Sequence, residues 1–419
     1  MRFEQYRIAP ELKRSLEELN FRRPTDIQHK AIPPILEGED VLAIAQTGTG
    51  KTAAYAIPII QLIHEKKLNR LPQGINCVVV VPTRELALQV TKTFEAIEKY
   101  TKVKSFCVFG GVEQEAQIAQ LVAGIDILIT TPGRMFDLVS QGYIRLDHVD
   151  TLILDEADHM LALGFYGDIQ SMLRFLPRQR QTLFFSATIN EHIKDLAYSL
   201  VRKPIRIQIS PKDPVSKNIN HSVTHIAMDD KRFFLERLIK ENAESKILVF
   251  VRTQVRAERV CLAMGRVGLV CGTIHGGKDQ AERIDALENF REGTLKVLIA
   301  TDVTARGIDI PNVNYVVNYD LPDVPENYVH RVGRTGRGVS RGTAVSFCSE
   351  EERPVLEAIE LFMDKKVKVL DIDQKDYTTT IDFSEEPSND WKTLMKEIDA
   401  FDEETKLRKK KNLKKKNKK

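Results

Sequence analysis

The chain has 419 residues, 42% of them hydrophobic, and a formal net charge of +3. At roughly 100–200 residues per domain, that is too long for one ordinary core and apolar enough for two. No apolar run approaches the roughly 18–20 residues of a membrane span, and the N-terminal "MRFEQYRIAPELKR" has charges where a signal peptide is apolar, so a cytoplasmic protein with no membrane partner is expected.

From the N-terminus, "APELKRSLEELNF" sets Leu12, Leu16 and Leu19 at helical spacing and ends before Pro24, which predicts a helix. Short apolar runs then alternate with amphipathic stretches. "DVLAIA", "NCVVVVP", "SFCVFG", "DILITTP", "DTLILD" and "TLFFSAT" predict strands, with helices such as "RELALQVTKTFEAIEKY" between them. Strands that are apolar throughout predict a parallel sheet covered by helices on both faces.

The first of these strands runs into Ala45-Gln46-Thr47-Gly48-Thr49-Gly50-Lys51-Thr52 and then a helix, the context of a Walker A phosphate loop. Its glycines let backbone N–H groups turn toward phosphate oxygens, Lys51 reaches the β- and γ-phosphates, and the Thr52 hydroxyl can hold Mg²⁺. Further on, "TLILDEADHML" sets an acidic cluster directly after a buried strand. Alone it could be an acidic helix start, because Asp155 can cap and the first turn favours carboxylates. Beside a phosphate loop it has a cation to serve: Asp155, at the end of a neighbouring strand, can hold nucleotide-bound Mg²⁺, and Glu156 can orient the attacking water.

The alternation breaks at "ISPKDPVSKNIN" (209–220), which predicts a linker, and resumes with "KILVFV", "LVCGTIHG", "LKVLIATD", "YVVNYD" and "GTAVSFC". Within this second half "GTIHGGKD" mimics a phosphate loop, but Asp279 stands where a hydroxyl is needed and would repel phosphate. "HRVGRTGRG" offers His330, Arg331, Arg334 and Arg337, basic groups on a glycine-rich loop suited to act as arginine fingers on a γ-phosphate in the other domain. The five cysteines, Cys77, Cys107, Cys261, Cys271 and Cys348, are widely spaced with no CxxC pair, which argues for reduced thiols and against zinc. Beyond about residue 366 periodicity is lost. The tail "KLRKKKNLKKKNKK" (406–419) holds ten Lys and Arg and no acid, leaving residues 1–405 at a net of −7. Such a block predicts disorder and suits phosphate backbones, adding affinity but no base reading.

Taken in order, "FRRPTDIQ", "AQTGTGKT", "PTRELA", "GG" at 110–111, "TPGR" at 131–134, "DEAD", "SAT" at 186–188, "VFVRT" at 249–253, "TDVTARGIDI" at 301–310 and "HRVGRTGR" resemble the motif series of the DEAD-box family of ATP-dependent RNA helicases. The resemblance covers residues 3 to about 350. It implies an α/β fold of two tandem RecA-like domains, each a mostly parallel sheet with helices on both faces. The expected organisation is a Q-motif region at 1–29, an ATP-binding domain at 30–210, a linker at 211–219, a second helicase domain at 220–365 and a flexible extension with the basic tail at 366–419.

The resemblance also implies roles. Phe21 would stack on adenine with Phe3 beneath, and Gln28 would bond the base edge; Asp309 would reach the nucleotide from the second domain. Lys51, Asp155, Glu156, His330, Arg334 and Arg337 would carry ATP hydrolysis, with Thr52 and Asp155 on Mg²⁺, and Ser186 and Thr188 with Asp158 would couple it to RNA. Thr83, Arg84, Gly111, Thr131, Arg134, Thr273, Gly276 and Thr301 would hold the RNA sugar-phosphate backbone, independent of sequence. Asn20 departs from the family's common Gly, and Thr304 from its usual Ala or Ser. The implied activity is RNA-stimulated ATP hydrolysis that locally unwinds short duplexes or remodels RNA–protein complexes. An ATP-gated RNA clamp that unwinds poorly is the alternative. The compact core and short tail look like bacterial members, which act as monomers in ribosome assembly, RNA decay or cold adaptation.

Overall fold

The computed structural model describes residues 2–46, 48–69, 74–110, 113–189, 191–209, 215–302, 313–336 and 341–384. It contains two sheets of seven strands each, all paired in parallel. The first sheet is built from β1 (Val41–Ala45), β2 (Cys77–Val80), β3 (Ser105–Val108), β4 (Ile127–Thr130), β5 (Thr151–Leu154), β6 (Gln181–Ser186) and β7 (Ile205–Ile209). Its spatial order is β3-β4-β2-β5-β6-β1-β7. The second is built from β8 (Ile219–His225), β9 (Ile247–Phe250), β10 (Cys271–Ile274), β11 (Val297–Ala300), β12 (Tyr315–Asn318), β13 (Gly342–Cys348) and β14 (Lys368–Val369), ordered β10-β11-β9-β12-β13-β8-β14.

Both faces of each sheet are covered, as the uniformly apolar strands require. Along β2, Cys77 and Val79 enter one core cluster while Val78 and Val80 enter another on the opposite face. In β9, Ile247 and Val249 likewise separate from Leu248 and Phe250. Each such side chain, fully buried, contributes roughly 1.5–3 kcal/mol relative to exposure. The N-terminal residues share this core: Leu12 and Leu16 of the helix Pro10–Glu18 pack into the same cluster as β1. The next helix, Asp26–Leu36, starts at a capping box in which Gln28 Oε1 accepts from the Thr25 N–H at 2.9 Å. No described helix is long and apolar enough to cross a membrane.

Two expectations need correction. The second domain does not end at residue 365: β14 adds to β8, and the helix Gln374–Asp382 packs on the helix Lys231–Glu241, with the Phe234 and Tyr377 rings 5.0 Å apart. Among the described residues the ordered fold therefore runs to Ser384, because Val367, Ile372 and Tyr377 are apolar anchors too widely spaced to form a periodic pattern. The linker expectation is also trimmed, since Ile219 already begins β8. Residues 385–419, including the basic tail, lie outside the described residues.

Candidate active site

β1 ends at Ala45, and the helix Lys51–Leu68 begins shortly after it. Between them Gly48 and Gly50 take φ of +83° and +91°. At Gly50 a Cβ would stand 2.5 Å from Gln28 Nε2, so both conformation and space demand glycine there. Gln28 Nε2 donates to the Gly50 carbonyl at 3.2 Å and the Thr49 hydroxyl to the Gln46 carbonyl at 2.7 Å, tying the N-terminal motif to the loop. Phe21, partly exposed, packs against buried Phe3 with ring centroids 6.1 Å apart.

Lys51 is buried, and its Nζ has no hydrogen-bond partner among the described residues. A buried ammonium left this way is expensive. It sits in the field of three buried carboxylates, Asp155, Glu156 and Asp158. Asp155, directly after β5, accepts from the Tyr55 hydroxyl at 2.8 Å, and Thr52, one helical turn before Tyr55, acts on that same hydroxyl. Burial pushes the Asp155 carboxyl up, with the Lys51 charge opposing. Hydroxyl and carboxylate oxygens converging through Tyr55 are the hard donor set that suits Mg²⁺, and a buried carboxyl with a raised pKa is one that a cation would stabilise.

Glu156 stands at φ +52°, rare and strained for a residue with a side chain, with its N–H held by Asp155 Oδ1 at 2.9 Å. The acidic cluster is thus no simple helix start: Glu156 is the residue before the short helix Ala157–Ala162 and caps nothing with its side chain. Burial would raise its carboxyl, but His159, with Nδ1 at 3.6 Å, and the charges of Lys51 and Arg334 outweigh it and hold Glu156 at about 2. Asp158 Oδ2 accepts from Ala187 N at 3.2 Å and from Thr188 N and Oγ1 at 3.1 Å, and the Ser186 hydroxyl donates to the Thr188 carbonyl at 2.8 Å. Those bonds join the ends of β5 and β6.

The second domain completes this site. The helix Pro325–Val332 brings His330 Nε2 to 3.6 Å from Asp158 Oδ2, which, against the cost of burial, helps hold Asp158 well below the usual carboxylate range. Arg334, one turn on and buried, donates through Nε to the His330 carbonyl at 3.1 Å. Arg331 faces the other way. It pairs with Asp302 at 2.6 Å and donates to the Asp320 carbonyl at 2.6 Å, a buried brace of the second domain, so it does not serve as a finger.

The residues expected to touch nucleic acid also collect at strand C-terminal ends, on the β2–β4 side of the first sheet and the β10–β11 side of the second. Thr83 caps the helix Arg84–Glu98, its Oγ1 accepting from Leu86 N at 3.3 Å. Arg84 lies in the field of Arg134 and Arg283, a like-charged group that, with burial, lowers its pKa. Thr131 precedes the helix Pro132–Ser140, whose first turn holds Arg134. Across the interface Thr273 lies near the end of β10 and Thr301 follows β11, both buried, with Gly276 exposed beyond them. Thr47, Gly111, Asp309 and Arg337 lie outside the described residues, as does Thr304.

Sequence reasoning missed four participants. Tyr55 and His159 serve the carboxylates, Tyr55 at an i+3 spacing from Thr52 that could have drawn notice. Glu85 pairs with Arg283 across the two domains. Glu258 Oε1 accepts from the Thr273 hydroxyl at 2.6 Å and lies 2.7 Å from His275 Nε2. Both sets of bonds are long-range, and nothing local in the chain announces them.

A phosphate loop and an acidic strand end in one RecA-like domain, faced by basic groups from a second, define a two-domain nucleotide hydrolase. Residues 25–196 match the DEAD/DEAH box helicase family, and residues 230–339 match the helicase conserved C-terminal domain. The chain is 38% identical to the DEAD-box ATP-dependent RNA helicase CshA of Geobacillus kaustophilus, covering 87% of this chain and 77% of that one. It is also 38% identical to the ATP-dependent RNA helicase RhlB of Shewanella oneidensis, over 89% and 86% of the two chains. A solved structure of S. cerevisiae Dbp5 bound to RNA and ADP BeF3 superimposes with a TM-score of 0.80 at 30% identity, covering 91% of this chain and 99% of that one. The chain belongs to the DEAD-box helicase family.

Proposed function

We propose that this chain is an ATP-dependent RNA helicase, in which ATP and single-stranded RNA together draw the two domains closed and hydrolysis releases them. The observation that carries the reading is the Nζ of Lys51, without a partner among the described residues, beside Asp155, Glu156 and Asp158, with His330 and Arg334 arriving from the other domain. A γ-phosphate there would satisfy Lys51 and give the basic groups a charge to neutralise. Thr52 and Asp155 would hold Mg²⁺, which when bound supplies charge neutralisation on the phosphates. Glu156, ionised at neutral pH, would accept a hydrogen bond from the attacking water and set its line of approach. Phe21 and Gln28 beside the loop would take the adenine.

Backbone contacts to RNA would come from Thr83, Arg84, Thr131 and Arg134 on one side and Thr273, Gly276 and Thr301 on the other, small or cationic groups that read no bases. The RNA-bound Dbp5 structure supports that assignment, because this chain has the same two-domain arrangement. Both halves of the site come from one chain, which supports action as a monomer. The setting proposed with this reading is the cytoplasm, among the RNAs of ribosome assembly, decay or cold adaptation.

Glu156→Gln tests the chemistry. It should cut ATP turnover by about 10²–10⁴-fold, the usual worth of a positioned acid–base group, while a fluorescent ATP analogue still binds. Near-normal turnover would sink the assignment of Glu156.

A further inference from the structure

Cys261 lies on the helix Gln254–Arg266 and Cys271 opens β10, an edge strand of the second sheet. Cys261 Sγ donates to the Cys271 carbonyl oxygen at 3.4 Å, which sets the two residues against each other across the helix–strand contact. Both residues are partly exposed, whereas Cys77, Cys107 and Cys348 are buried. No step of ATP or RNA handling described above uses either sulfur.

We infer that Cys261 and Cys271 form a peroxide-sensitive dithiol that closes into a disulfide and thereby loosens the grip of β10 on RNA. The first step is attack of the Cys261 sulfur on a peroxide oxygen: the O–O bond breaks, the sulfur is oxidised to a sulfenic acid and hydroxide leaves. The Cys271 sulfur then attacks the sulfenic sulfur, the S–S bond forms and the S–O bond breaks, releasing a second hydroxide. The two thiol protons convert both hydroxides to water, so two thiols and one peroxide give one disulfide and two waters. The microenvironment suits this division of labour. The neighbouring Cys271 side chain holds the Cys261 thiol below its usual range despite burial, while Cys261 and burial push Cys271 up.

The consequence follows from Glu258, one helical turn before Cys261. Its carboxylate holds Thr273 at 2.6 Å and His275 at 2.7 Å, with Lys278 at 3.6 Å, so this turn of helix positions the end of β10. Drawing the two sulfurs into a covalent bond shifts the helix along β10, and the short Glu258 bonds have no slack to follow. Thr273 is then displaced. This last step rests on the RNA reading of Thr273; formation of the disulfide does not.

The experiment treats the full chain with hydrogen peroxide, blocks remaining thiols, and maps cross-linked peptides by mass spectrometry alongside RNA and ATP-analogue binding. A Cys261–Cys271 cross-link, reversed by dithiothreitol and absent from Cys261→Ser and Cys271→Ser, is expected. With it RNA affinity should fall roughly three- to tenfold, the worth of about one hydrogen bond, with ATP-analogue affinity unchanged and both serine variants insensitive to peroxide. Peroxide that leaves these cysteines as thiols, or takes each separately to sulfinic acid, overturns the dithiol. A cross-link with RNA affinity unchanged overturns the coupling to β10. Failure of the reduced protein to bind RNA overturns the proposed function instead, and leaves the cross-link to be judged on its own.

Discussion

Glu98 ends the helix Arg84–Glu98 with Oε1 accepting from both Ser105 N and Ser105 Oγ at 3.0 Å, and with Oε2 buried without a partner among the described residues. Burial pushes its carboxyl up to about 7 from an ordinary 4.5, the Ser105 bonds opposing. The folded chain thus holds this proton more tightly than the unfolded one. The stability it contributes is complete below about pH 4.5 and is lost as pH rises through about 7. Glu98→Gln keeps the acceptor oxygen and removes the charge, so at pH 8 it should stabilise by about 1–3 kcal/mol and flatten the profile between pH 4.5 and 7 in urea titrations. A variant whose profile matches the parent's would contradict this. Residue-scale legibility divides on a similar line. Lys51, Thr52 and Asp155 could be named because a contiguous loop and a strand end declare them. Glu85 and Glu258 could not, because their meaning lies in partners brought near by the fold.

At the scale of elements, the strands that were apolar throughout were all legible, since each must bury two faces. β7 and β8 were not. "IRIQI" alternates along an exposed edge of its sheet, and "INHSVTH" is polar yet lies between β13 and β14. β14 spans two residues, too short to carry a period. The helix Gln374–Asp382 was missed because its hold on the second domain joins sparse apolar anchors, Ile372 and Tyr377, to a few polar bonds. The Tyr377 hydroxyl donates to Asp230 Oδ2 at 2.7 Å and accepts from Ala227 N at 3.1 Å, and Arg237 donates to the Thr380 hydroxyl at 2.6 Å. Tyr377→Phe keeps the ring against Phe234 and removes both bonds of the hydroxyl, so it should lower stability by about 1–2 kcal/mol, read from the urea midpoint. No shift in the midpoint would show that the helix is held by its apolar side alone.

At the scale of the whole molecule, charge and geometry divide the labour. Residues 1–405 carry a net of −7, and ten basic side chains follow in 406–419. Any general attraction to a polyanion is therefore concentrated in the tail, while the closed site selects through placed groups. Removing 406–419 should weaken RNA binding and flatten its salt dependence by roughly 0.7 in log–log slope for each phosphate that the tail had neutralised, leaving ATP turnover without RNA intact. An unchanged slope would assign all RNA affinity to the two domains. Those domains meet through paired groups, Glu85 with Arg283 and Asp158 with His330, so the arrangement that completes the proposed ATP site is the same one that aligns the two strand ends proposed to hold RNA. Mg²⁺-dependent ATP hydrolysis with and without single-stranded RNA, using DNA of the same sequence as control, reads that coupling. RNA alone should stimulate hydrolysis strongly; equal rates with DNA, or a rate indifferent to both, would show that the two sites are not coupled through RNA.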